Sequence, residues 1–201
     1  MAAGTPLIVV ISGPSGVGKS TVAQQVLERS PVLVRSVSLT TRRPRAGEVD
    51  GEDYFFVSPA EFAAKRDGGG LLEWAEVYGN LYGTEAEQVD RQLASGKSVL
   101  LEIDVQGGRS VKAARPGAVL IFILPPSVQA LEERLRGRGT DEEEVILRRL
   151  ENARRELDSA GEYDFRVIND DLERCVGEVL EIIEAGSGQS GAGGPFAPSG
   201  D

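Results

Sequence analysis

Histidine is absent from this chain, and its absence removes several kinds of chemistry together. Ser–His nucleophilic pairs, imidazole acid–base catalysis and histidine-ligated zinc are all excluded. A single cysteine, Cys175, leaves no internal disulfide framework and no multi-cysteine metal site. No stretch approaches the roughly 18 consecutive apolar residues that cross a bilayer. The opening Met1-Ala2-Ala3-Gly4-Thr5 puts no basic region ahead of the short apolar run that follows, so it does not read as a secretory signal. A cytoplasmic location is therefore expected. Positive charge is also short: 22 Lys and Arg against 32 Asp and Glu give a net charge of -10. Such a balance repels nucleic acid and anionic membranes at long range, so neither is an expected partner. Chemistry must then rest on positioning, carboxylates, Arg, Lys or a hard metal ion.

What remains is ordinary for a globular protein, with 40% hydrophobic and 27% charged residues in 201. That length suffices for one well-buried domain with a small inserted subdomain. The arginines cluster at Arg42-Arg43-Pro44-Arg45, at Arg134 to Arg138 and at Arg148-Arg149, which suits a small phosphorylated ligand better than a polymer. Pro6 to Ile11 is a continuous apolar, β-branched run, the pattern of a strand buried on both faces, and a glycine-rich turn and a helix over 19–29 follow it. Further strands are expected over 32–37, 99–103, 118–124 and 165–168, and a last helix over 172–184 with Asp170 or Asp171 as its N-cap. Strands alternating with helices predict an α/β fold, a parallel central sheet covered on both faces.

Two stretches break this rhythm. Residues 39–84 carry polar turns, a strand at Tyr54-Phe55-Phe56-Val57, and a helix announced by Ser58-Pro59-Ala60-Glu61, a capping box with proline at its first position. Arg136-Gly137-Arg138-Gly139-Thr140 reads as a flexible basic loop between helices, within a lid over about 136–157. The expected core is then about 5–38, 85–135 and 158–185, with 39–84 inserted and 186–201 a disordered Gly/Ser/Pro tail.

The strongest chemical signal is Gly13-Pro14-Ser15-Gly16-Val17-Gly18-Lys19-Ser20, a full G-x-x-x-x-G-K-[ST] match. Its glycines let the backbone curl until several N–H groups face phosphate oxygens, reinforced by a helix N-terminus. Lys19 reaches the β- and γ-phosphates of a bound nucleoside triphosphate, and the Ser20 hydroxyl sits on magnesium. Chance produces the pattern in roughly one chain in a hundred of this length, and its place between a buried strand and a helix lowers those odds. Arg42 and Arg45, three apart around a stiff proline, could fork onto a second phosphate or form a plain solvated turn; composition alone favours the turn.

Together with Ser36-Val37-Ser38-Leu39-Thr40-Thr41-Arg42-Arg43-Pro44-Arg45-Ala46-Gly47-Glu48, Gly51-Glu52-Asp53-Tyr54, Glu73-Trp74-Ala75, Gly79 to Thr84, Glu102-Ile103-Asp104, Arg136 to Gly139 and Val167-Ile168-Asn169-Asp170, the loop resembles the bacterial guanylate kinases from about Pro6 to Glu184. The resemblance implies a P-loop NTPase three-layer fold with an inserted NMP-binding subdomain and a short lid. It implies Mg2+-dependent transfer of the ATP γ-phosphoryl to GMP, with dGMP as a further expected acceptor. Gly13 to Ser20 and Asn169 would hold ATP, and Ser20 the metal. Arg42, Arg45, Tyr54 and Tyr82 would hold the GMP phosphate, while Ser38, Glu73, Thr84 and Asp104 read guanine. Lys19, Arg134, Arg138 and Arg149 would close on the transferring phosphoryl. Guanine presents two adjacent donors, N1–H and the N2 amine, to a carboxylate, and adenine lacks them; Glu73 is the expected selector. The family usually carries Asp where this chain has Glu102.

Blander readings accompany several of these. Thr84-Glu85-Ala86-Glu87 is itself a capping box, so Thr84 is expected to cap a helix as well as touch the base. Tyr54 and Tyr82 read without the resemblance as half-buried aromatics. Glu102 and Asp104 alternate, so both are expected on one face at a strand's C-terminal end, where open α/β sheets bind ligands. Along 141–158, Arg148 has Glu144, Arg155 has Glu151 and Arg154 has Asp158 four residues away, whereas Arg149 has Val145 and Ala153. A kinase for another nucleoside monophosphate is disfavoured by Glu73 and Asp104, and a non-enzymatic binding module by the intact Lys19 and Ser20. The sequence leaves open whether the chain is a monomer or a homo-oligomer.

Overall fold

The computed structural model describes residues 4–77, 79–137 and 143–188. Strand β1 (Ile8–Ser12) is buried along its whole length. It pairs in parallel with β7 (Ser98–Glu102) on one edge and β8 (Val119–Leu124) on the other. β2 (Leu33–Arg35) and β9 (Phe165–Ile168) complete a five-stranded parallel sheet of order β2-β7-β1-β8-β9. Apolar residues alternate to two cores across it. Val9 and Ile11 join Val22, Val26, Ile121, Leu131 and Val176 on one face, while Ile8 and Val10 join Val89, Val111, Leu120 and Phe122 on the other. A strand clothed on both sides has no polar alternation, which is why these segments read as continuous hydrophobic runs.

The helices that make the outer layers are α1 (Lys19–Arg29), α3 (Ala86–Ala94), α4 (Val105–Ala114), α5 (Val128–Arg136), α6 (Glu143–Asp158) and α7 (Leu172–Gly188). A second sheet, order β4-β3-β6-β5, is built from β3 (Leu39–Thr40), β4 (Phe55–Phe56), β5 (Leu71–Val77) and β6 (Asn80–Glu85). Helix α2 (Pro59–Asp67) joins it with the expected capping box: Ser58 Oγ accepts the Glu61 N–H and Glu61 accepts the Ser58 N–H.

Three local expectations are corrected. Helix α7 continues through Gly186, Ser187 and Gly188, which the sequence assigned to a structureless tail. Ser187 O accepts the Thr5 N–H at 3.1 Å, and Gly186 packs on Leu7 with no room to spare for a Cβ, so tertiary contact extends the helix. Arg136 ends α5 instead of opening a loop, because Glu132 (2.9 Å) and Glu143 (2.5 and 2.7 Å) both hold its guanidinium. Asp104 is not on the strand of Glu102. It caps α4, accepting the Gly107 N–H at 2.8 Å, since the open first turn of that helix needs an acceptor. Of the two N-cap candidates for α7, Asp171 accepts the Arg174 N–H at 2.9 Å.

Candidate active site

The phosphate loop runs from the end of β1 to the start of α1, at the C-terminal edge of the parallel sheet. Gly13 and Gly18 have φ of 149° and 99°, and a Cβ at Gly13 would lie 2.4 Å from Ile123 O. Only glycine tolerates both constraints. Lys19 folds back over the loop, donating to Gly13 O at 2.5 Å and Pro14 O at 3.1 Å. Arg134 and Asn169 brace the far side of the loop. Asn169 Nδ2 (2.8 Å) and one Arg134 nitrogen (3.1 Å) both donate to Val17 O, and the other Arg134 nitrogen donates to Asn169 O at 2.8 Å. Ser20 Oγ donates to Glu102 Oε1 at 2.5 Å, and Arg35 approaches Glu102 Oε2 at 3.4 Å. Hydroxyl and carboxylate are hard oxygen ligands, too few to cage an ion but fitted to a magnesium that keeps waters and phosphate oxygens. No group of three or more Asp, Glu or Cys positioned for a metal occurs among the described residues.

On the second sheet, Arg42 follows β3 and lies over two neighbouring aromatic rings, 5.3 Å from the Tyr54 centroid and 5.8 Å from Phe56. Tyr82 meets Tyr54 edge-on at 5.9 Å. The fork of Arg42 is occupied by Glu48, at 3.0 and 2.7 Å, and Glu48 also accepts the Arg45 N–H at 2.7 Å. Arg42 is driven to a higher pKa by Glu48, and Glu48 to a lower one by Arg42. Burial raises Tyr54. This turn is neither the bare solvated turn nor a preformed open clamp: Arg42 is pre-oriented by an acid six residues on, while the Arg45 side chain stays exposed.

Glu73 owes its position to a register shift in β5. Between Leu71 and Glu73 the pairing slips, so Leu72 and Glu73 are both buried and Glu73 stands opposite Thr84. Such a bulge re-aims a side chain that strict alternation would turn outward. Thr84 Oγ1 donates to Glu73 Oε1 at 2.6 Å. Here the expected helix cap fails. Helix α3 starts at Ala86 with Glu85 as N-cap and no side-chain capping bond, because the Thr84 hydroxyl is committed to Glu73. Burial pushes Glu73 up to about 7, with Asp104 adding to the rise and Thr84 opposing it. Glu73 Oε2 would lie 2.9 Å from a Cβ at Gly107, which brings α4 and its cap Asp104 against the second sheet. Ser38 leads into β3, its carbonyl accepting the Phe55 N–H at 2.9 Å.

Of the sequence-derived candidates, Arg149 lies half-buried on α6, and Arg138 falls outside the described residues. Glu48 and Gly107 went unnoticed as candidate positions. Glu48 carried a signal, an acid three residues after Arg45, while Gly107 depends on a contact with a distant segment.

A glycine loop between a buried parallel strand and a helix, with Lys19 and Ser20 at its end, defines the chain as a P-loop nucleotide-binding protein of the kinase type. The comparisons narrow this: a family model described as guanylate kinase matches residues 5–186. Guanylate kinase of Synechocystis sp. is 52% identical over 176 residues, 88% of this chain and 92% of that one. That of Carboxydothermus hydrogenoformans is 47% identical over 179 residues, 89% and 88% respectively. The crystal structure of guanylate kinase from Anaplasma phagocytophilum superposes with a TM-score of 0.78 at 34% identity, covering 94% of this chain and 90% of that one. The chain belongs to the guanylate kinase family.

Proposed function

We infer that the protein transfers the γ-phosphoryl of ATP to GMP, giving ADP and GDP, with Mg2+ as the metal. The carrying observation is a phosphate loop and a buried carboxylate on two neighbouring sheets: one suited to a triphosphate, the other to a base with two adjacent donors. In this reading the loop N–H groups, Lys19 and Ser20 hold ATP, while Arg134 and Asn169 hold the loop itself in shape. Ser20 and Glu102 would hold the magnesium, which when bound neutralises phosphate charge. Arg42, Arg45, Tyr54 and Tyr82 take the acceptor phosphate, with Arg42 trading Glu48 for it or sharing both. Glu73 accepts from guanine N1–H and N2, and Thr84, Ser38 and Asp104 complete the base contacts. Residues 39–84 act as the acceptor-binding part, and 136–157, with Arg138 and Arg149, as the lid.

The step is a displacement. A GMP phosphate oxygen, already anionic at neutral pH, attacks the γ-phosphorus; the bond to the β–γ bridging oxygen breaks, and ADP leaves with its electron pair. No base has to take a proton, which agrees with a chain without histidine. Alignment and charge neutralisation by Lys19 and the arginines supply the acceleration. Among the described residues no helix is long and apolar enough to cross a membrane, and a cytoplasmic site of action accords with nucleotide substrates. ADP release measured with GMP, AMP, CMP and UMP as acceptors tests the reading. Turnover is expected with GMP, and equal rates with all four refute it.

A further inference from the structure

Leu33 and Leu100 both join the core that α1 covers, and the residues two places further along their strands, Arg35 and Glu102, share that face of the sheet. Arg35 is the last residue of the edge strand β2 and stands opposite Leu100 on β7, so Glu102 is its diagonal neighbour. The next N–H, from Ser36, donates to Leu100 O at 3.0 Å, which ties the backbone beyond Arg35 to β7 as well. From this fixed backbone the Arg35 guanidinium reaches Glu102 Oε2 at 3.4 Å, while Ser20 Oγ donates to Glu102 Oε1 at 2.5 Å. Glu102 is thus held at both carboxylate oxygens, by the first turn of α1 and by β2. A glutamate turns about three side-chain bonds, and that freedom is lost when its carboxylate serves a ligand. An exposed pair adds little to stability by itself, so its weight lies in where it points the carboxylate.

We propose that Arg35 is a positioning residue for the metal site: from its place on β2 it restrains Glu102 and keeps Oε1 at the Ser20 hydroxyl, where a divalent cation carried by nucleotide phosphates would be met. Outer partners of this kind fix the direction of a ligating carboxylate, and their loss weakens metal binding although they never touch the ion. The inference rests on the proposed nucleotide and magnesium site and adds to it a residue of the neighbouring strand. Charge and position act here with opposite signs. A guanidinium near a cation repels it, so charge alone predicts tighter metal binding once Arg35 is removed. Looser binding is the mark of lost positioning.

Titration of Mn2+ into the ADP complex of the full chain tests this, with the free ion measured by electron paramagnetic resonance. Mn2+ shares the oxygen ligands of magnesium and is read without turnover. The wild type is compared with Arg35→Met, Glu102→Gln and the double variant. Arg35→Met is expected to bind Mn2+ about tenfold more weakly, with affinity for metal-free ADP nearly unchanged. Unchanged or tighter Mn2+ binding overturns the proposal, as does a lower melting temperature with Mn2+ binding intact, the result of a pair that merely braces β2 on β7. Because Arg35 acts through Glu102, the double variant is expected to match Glu102→Gln alone, and losses that add overturn it too. Should Arg35→Met melt early, Arg35→Lys, one bond shorter with the charge kept, is the second arm: a smaller loss supports the proposal and no loss overturns it. If Glu102→Gln binds Mn2+ as the wild type does, the magnesium reading of Glu102 itself fails, whatever Arg35 does.

Discussion

In the proposed reading, the two sheets of this protein offer anion and base sites by opposite means. On the five-stranded sheet the phosphate loop is nearly all backbone: eight consecutive residues bent by left-handed glycines, with one lysine laid over their carbonyls. On the four-stranded sheet the site is all side chain, assembled from Arg42, Tyr54, Glu73 and Tyr82 on separate strands and turns. A backbone site is rigid and reads phosphate without regard to what carries it. A side-chain site can read a particular base, at the cost of holding a buried carboxylate in a fold that would be more stable without its charge. The first suits a donor common to many enzymes, and the second an acceptor that must be selected.

Breaking the backbone site should have the largest effect. Lys19→Met is expected to lower kcat by about a thousandfold with the fold intact, as loss of one preorganised transition-state donor does elsewhere. ADP release together with circular dichroism checks it, and near-normal turnover removes Lys19 from the reaction. Breaking the side-chain site should separate selection from stability. Glu73→Gln is expected to cut kcat/KM for GMP about a hundredfold, because the amide opposes one guanine donor with another. The same variant should be more stable than the wild type at pH 8. The folded protein holds the Glu73 proton up to about 7 against an ordinary 4.5. The stability this contributes is therefore present in full below the ordinary value and lost as pH rises through 7. Thermal melting at pH 8 and pH 5 measures it: a gain of roughly 1 to 3 kcal/mol is expected at the higher pH and little at the lower.

A subtler break is Gly107→Ala. Its Cβ would press on Glu73 Oε2, so the KM for GMP should rise about tenfold while that for ATP stays put, as one displaced base contact implies. A rise in both would point to a general disturbance of α4. The smallest effect is in pH. Guanosine, which has no phosphate to titrate, should inhibit competitively with GMP and weaken a few-fold as pH falls below about 7, where Glu73 takes up its proton. Inhibition independent of pH between 6 and 8 would mean that the ionised Glu73 does not read the base.

The phosphate loop was legible because it is local. Gly13 to Ser20 lie in one stretch between a β-branched run and a helix, and no distant segment is needed to bend the chain there. The three central strands β1, β7 and β8 were legible for a similar reason, since burial on both faces leaves a nearly unbroken apolar signature. Glu73 was legible through the family resemblance alone. By pattern, the residue next to buried Leu72 should point to solvent, and the register shift that turns it inward is a property of pairing with β6. Thr84 shows the converse. Its local sequence spells a helix cap, but a buried acid across the hairpin takes the hydroxyl first, because an unpaired buried carboxylate is costlier than an uncapped helix end.

Sequence alone thus determined the strand–loop–helix phosphate motif, the α/β class and the chemistry left open by the missing histidines, all carried by residues near one another along the chain. Tertiary structure decided which groups are held and which are spent. It set Glu48 on Arg42, Asp104 on the first turn of α4 and Thr84 on Glu73. Each of these pairings depends on burial and on which donor reaches an acceptor first, quantities fixed only when separate elements pack together.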